Sequence, residues 1–151
     1  MIKRLSLVAG TVSLVLSSSF VSAFEKAEDA IEYRQSVFSL VATHFGHMGA
    51  MVKGKKDFNA EEFAYRADSV KALSKMPLEG FTFPGSDKGD TKAKPAVWSD
   101  MSEFKAKLTQ FQKDADNLAS AAATGSMDKI KPVFGATAKN CKSCHSDFKN
   151  R

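Results

Sequence analysis

Two cysteines in 151 residues are too few for a disulfide-knit scaffold, and nine glycines with four prolines are too few for a collagen-like or low-complexity chain. Blocks of like charge are missing as well. The 22 Lys and Arg outnumber the 17 Asp and Glu to give a formal charge of +5, but the two signs are interleaved along the chain. Charge spread in this way makes no polyanion-binding stripe, so nucleic acid is not an expected partner. Sustained period-two alternation is also absent, and no strands are expected. What is present, 43% hydrophobic and 26% charged residues, is the composition of one folded domain with one sizeable core.

Residues 1–23 read as a secretory signal peptide. Lys3 and Arg4 precede an uncharged stretch from Leu5 to Val21, and Val21-Ser22-Ala23 supplies the small residues that a signal peptidase needs. Gly10, Thr11, Ser13 and Ser17-Ser18-Ser19 dilute the apolar run, and Phe24-Glu25 opens a charged sequence with no stop-transfer pattern. The expected product is residues 24–151, a soluble domain with charge +3 and no membrane insertion after cleavage. Its expected location is periplasmic, where thiols are readily oxidised.

The spacing of apolar residues predicts an all-α antiparallel four-helix bundle with a long loop between helices two and three. Ala27, Ile31, Arg34, Phe38, Val41, Phe45, Met48 and Val52 recur at steps of three or four and mark the first helix, which ends near Gly54. Asn59 is a natural N-cap for a second helix that turns Phe63, Ala67, Val70 and Leu73 inward and stops before Pro77. Residues 77–95 hold Pro77, Pro84, Pro95, Gly80, Gly85 and Gly89 and read as a loop long enough to cover a ligand or cross the bundle end. A third helix follows on Val97, Met101, Phe104, Leu108, Phe111, Ala115, Leu118 and Ala122. The fourth carries Met127, Ile130, Phe134, Thr137, Cys141, Cys144 and Phe148, with Pro132 marking a kink or its first turn.

The chemistry sits in Cys141-Lys142-Ser143-Cys144-His145. C-x-x-C-H is the signature of c-type haem attachment, in which each thiol adds across a haem vinyl group and the histidine binds iron. At 100° per residue a helix brings both cysteines and the histidine within a sector of about 100°. Two cysteines and a histidine in this spacing arise by chance on the order of a few times in ten thousand, so coincidence is a poor explanation. A thiol redox pair would be better placed at a helix N-terminus, where the macrodipole stabilises thiolate. A structural zinc site would need a fourth ligand that no second motif supplies.

Two further features bear on the iron. Arg34 interrupts an apolar face, and a guanidinium there is expected to need an anion, for which a haem propionate is suited. A second axial ligand would have to come from Met48, Met51, Met76, Met101, Met127, His44 or His47. With the first helix facing the fourth, however, the residue one turn beyond Arg34 is Phe38, which cannot ligate. Five-coordinate iron beneath an apolar lid is therefore expected, with an internal methionine ligand as the alternative.

The chain resembles the cytochromes c prime, or class II c-type cytochromes, four-helix bundles with haem near the C-terminus. The resemblance rests on Tyr33-Arg34-Gln35-Ser36, His44-Phe45-Gly46 through Val52-Lys53-Gly54, Pro84-Gly85, Trp98-Ser99-Asp100 and Cys141 to His145. It implies one covalent haem c per chain, a homodimer packed through the first two helices, and a high-spin haem whose distal side takes nitric oxide or carbon monoxide. It also implies one-electron exchange with a periplasmic redox partner. Arg34 would meet a propionate and Gln35 the haem edge. Phe38 stands where the family often has an aliphatic residue, and Lys149 where many members carry arginine. No enzymatic activity is expected, because the distal face offers neither a general acid nor a general base.

Overall fold

In the computed structural model, residues 23–150 are described; apart from Ala23, the expected signal peptide lies outside the described residues. Helix α1, Ala27–Val52, opens with Glu28 and Asp29 in its first turn, where carboxylates meet the positive end of the macrodipole. It closes through Lys53 onto Gly54, whose φ of 67° is left-handed, so that Gly54 N–H reaches Met51 O at 3.1 Å. Helix α2, Ala60–Leu73, is capped by Asn59, whose side-chain oxygen accepts from Glu62 N at 2.8 Å. Both boundaries agree with the sequence pattern.

The expected loop at 77–95 contains a single helical turn, α3, Glu79–Thr82. The expected third helix is in fact two elements, α4, Ala96–Ser99, and α5, Met101–Ala122. Asp100 leaves the helical region at φ −129° and ψ 55°, and its carboxylate accepts from Glu103 N at 3.3 Å. The apolar spacing runs across this break without a gap, which is why periodicity alone does not register it. Helix α6, Met127–Phe148, holds Pro132 in its second turn, so Pro132 does not mark the helix start. The helix continues through it, although the ring cannot donate to the carbonyl one turn earlier.

The four long helices α1, α2, α5 and α6 form the antiparallel bundle. Helix α1 packs on α2, α2 on α5 and α5 on α6, while α1 and α6 meet along a narrower seam. There Phe45 stacks on Phe134 at 4.2 Å between centroids, and a methyl at Gly49 would lie 3.3 Å from the same ring. Helix α1 buries a wider arc than one stripe, adding Ala30, Val37 and Met51, because it also carries α3 on its flank. The core divides in two. One cluster joins Val41, Met48, Phe63, Val70, Leu118, Ile130 and Phe134. The other, toward the C-terminal end of α6, joins Phe81, Val97, Phe104, Leu108 and Phe148. No helix among the described residues is long and apolar enough to cross a membrane.

Candidate functional site

Helix α6 carries the thiols where the two core clusters meet. Cys141 packs against the first cluster and Cys144 against the second; both are half-buried and unpaired. Burial pushes the Cys144 thiol up to about 11, with Cys141 and Asp147 adding to the rise and the Lys107 ammonium opposing it. Cys141 is also raised, chiefly by burial and further by Asp114, against a backbone hydrogen bond that lowers it. Thiols held protonated in this way are weak nucleophiles for disulfide exchange, and they sit near the C-terminal rather than the N-terminal end of their helix. Both features weigh against a thiol–disulfide role. Zinc fares no better: no group of three His, Cys, Asp or Glu side chains among the described residues could hold a metal ion.

His145 follows Ala138 by seven residues, about two turns, and shares its helical face. Ala138 lines an open groove of about 380 Å³ with Phe45, Gly46, Gly49 and Phe134, which puts this face on the seam between α1 and α6. The imidazole keeps solvent exposure, yet its pKa is lowered by partial burial and then by the Lys149 ammonium. A neutral ring with a free lone pair is the form that binds a metal.

Phe38 is half-buried and packs against the same cluster as Cys144. Its ring meets Phe81 edge-on at 6.3 Å, Phe81 meets Phe104 at 4.7 Å, and Phe104 meets Phe148 at 5.3 Å. This wall of hydrocarbon offers no acid or base. Of the candidate second ligands, Met48 and Met51 are buried in the first cluster and Met127 packs against it. His44 lies beside Tyr65, while His47 and Met76 are exposed. Met101 alone of the seven packs against the cluster shared by Phe38 and Cys144.

Arg34, expected to pair with a haem propionate, has neutral partners within the chain itself. It is 2% exposed, and its guanidinium donates to Gly80 O at 2.7 Å, Ser86 O at 2.8 Å and Thr91 Oγ1 at 3.0 Å. It also lies over the rings of Phe81 and Trp98, 4.4 and 5.4 Å from their centroids. Carbonyl oxygens and aromatic faces satisfy the cation, and desolvation lowers its pKa to about 10. Gln35, exposed, gives its Nε2 hydrogen to Asp90 O at 2.9 Å. Lys149 is exposed at the end of α6, where its backbone bridges to Ala93. Phe81 and Trp98 were not among the expected site residues. The signal for Phe81 was an aromatic residue inside a loop otherwise rich in Gly and Pro.

Two unpaired thiols and a neutral imidazole on one helical sector, beside an aromatic wall, fit a covalently attached haem. The family model described as Cytochrome C' matches residues 29–149. The chain is 49% identical over 129 residues to the cytochrome c' of Rubrivivax gelatinosus, covering 85% of this chain and 99% of that one. Among solved structures it is similar to cytochrome c prime from Shewanella frigidimarina, at 52% identity and TM-score 0.81, covering 85% and 99% of the two chains. It is also similar to the nitric oxide complex of a leucine-to-alanine variant of cytochrome c prime from Alcaligenes xylosoxidans. That match has 38% identity and TM-score 0.78, and covers 85% and 98% of the two chains.

Proposed function

The chain belongs to the cytochrome c′ family of haem-binding electron carriers, and from that premise we propose that it is a five-coordinate c-type cytochrome that also binds nitric oxide or carbon monoxide. Homologues in this family bind haem c covalently, and the group supplies a one-electron couple and an iron site for diatomic ligands. In this chain Cys141 and Cys144 would hold it through thioether bonds, and His145 would give its lone pair to the iron. Burial, and after it the Lys149 ammonium, lowers the pKa of that imidazole.

The observation that carries this reading is the shared cluster of Phe38 and Cys144, which sets a ring without ligating atoms against the attachment site. An apolar distal side holds ligands that need no hydrogen-bond donor, as nitric oxide and carbon monoxide do not. The nitric oxide complex of the Alcaligenes protein supports the same ligand class. The signal-peptide pattern of residues 1–23 supports export to the periplasm, where a redox partner would exchange electrons. Leu40 on α1 and Tyr65 on α2, 50% and 65% exposed, support a homodimer packed through those helices. No enzymatic step is assigned.

Absorption spectra of the purified protein, oxidised, reduced and with carbon monoxide, test the reading. High-spin bands that sharpen on addition of carbon monoxide are expected. A low-spin spectrum without added ligand would overturn five-coordination and point to Met101.

A further inference from the structure

Arg34 places a buried cation in the half of the bundle that holds the site, and its hydrogen-bond partners all lie on the segment between α2 and α4. We infer that Arg34 is a positioning residue: by tying that segment to α1 it holds Phe81 against Phe38, and so sets how readily the distal ring yields to a ligand. The inference rests on the reading of Phe38 as the distal lid.

The guanidinium spans three points of the segment, Gly80 O, Ser86 O and Thr91 Oγ1. Phe81 lies between these anchors, with the cation 4.4 Å from its ring centroid. A second tie holds the same residue, since Trp98 Nε1 donates to Phe81 O at 2.9 Å. At Gly80 the backbone lies so close to α1 that an added methyl would meet Ala30 O at 2.7 Å. The far end of the segment is pinned to the end of α6: Lys94 N–H reaches Phe148 O at 2.9 Å, and Asn150 N–H reaches Lys92 O at 2.8 Å. The segment thus bridges the helix bearing Phe38 and the helix bearing His145, with Arg34 as its fastening on the distal side. Removing the guanidinium leaves the Gly80 and Ser86 carbonyls without their side-chain donor, takes one of two donors from Thr91 Oγ1, and frees the ring that backs Phe38.

The test uses the holoprotein with Arg34→Met and Arg34→Lys, each alone and combined with Phe38→Ala. Two quantities are read: carbon monoxide association by flash photolysis, and amide hydrogen exchange over residues 80–91. Arg34→Met is expected to speed exchange over the segment about tenfold and to raise the association rate several-fold. In the Phe38→Ala background the effect on association should vanish, because the ring through which Arg34 acts is gone. An effect that persists undiminished in that background, or a shifted reduction potential with unchanged exchange, would overturn the inference in favour of direct contact with the haem. Should Arg34→Met fail to fold, Trp98→Phe removes the bond to Phe81 O while leaving an aromatic ring beside Phe81 and the guanidinium; it should change association in the same direction, and no change would count against the inference. An unsubstituted protein that takes up no carbon monoxide would overturn five-coordination. Binding with unchanged kinetics in Arg34→Met would overturn this inference alone.

Discussion

On the proposed reading, replacing Phe38 with alanine removes the ring that covers the distal side. For a ligand to bind, that ring must swing away from Phe81, which it meets edge-on at 6.3 Å. An aromatic pair of this geometry contributes about 0.5–1.5 kcal/mol. Phe38 is half-buried against the second cluster, so moving it also exposes apolar surface worth about 1 kcal/mol. The unsubstituted protein loses both on binding, and Phe38→Ala loses neither. At about 1.4 kcal/mol per factor of ten, carbon monoxide affinity should rise about ten- to seventyfold. Stability should fall by about 2–3 kcal/mol, less than for a fully buried phenylalanine. Titrating the reduced protein with carbon monoxide and following the main haem band measures the first effect; denaturant unfolding measures the second. Affinity within twofold of the unsubstituted protein, in a variant whose stability has fallen, would refute the steric role of Phe38.

Three other substitutions probe the frame around the site. Tyr33 donates to Glu79, and that bond, with burial and the Glu79 charge, raises the tyrosine to about 12. A raised folded pKa gives stability that is full below pH 10 and is lost as pH rises toward 12; Tyr33→Phe should remove this alkaline slope, which unfolding midpoints against pH will show. Gly80→Ala drives a methyl to 2.7 Å from Ala30 O and 3.0 Å from Arg34 Cβ, so denaturant unfolding should register a loss of about 1–3 kcal/mol. Asn59→Ala deletes the cap on Glu62 N and should lower stability by about 1 kcal/mol with the visible spectrum unchanged.

The helices were legible because each apolar stripe keeps its period through the element it marks, as from Phe104 to Ala122. The break at Asp100 was not, because Val97 and Met101 stay in phase across it; only Asp100, a residue type that caps helices, hinted at it. That Cys141, Cys144 and His145 share one helix was legible because the apolar stripe runs through them from Met127 to Phe148. Arg34 stands out in the sequence as a cation on an apolar face, but its partners within the chain do not. Sequence identifies a buried cation without showing that a segment 46 to 57 residues away folds its carbonyls and a hydroxyl onto it. Phe81 was hidden for the same reason, since its neighbours come together only when the 77–95 segment closes over the bundle end.

The central claim is a porphyrin bonded through sulfur to the carboxy-terminal helix. The intact mass of the exported, purified protein after acid denaturation tests it most directly. The account predicts a coloured polypeptide heavier than its sequence by one haem, and tryptic peptides placing the addition on Cys141 and Cys144. A colourless chain at its bare sequence mass, with both thiols free to alkylate, would contradict it.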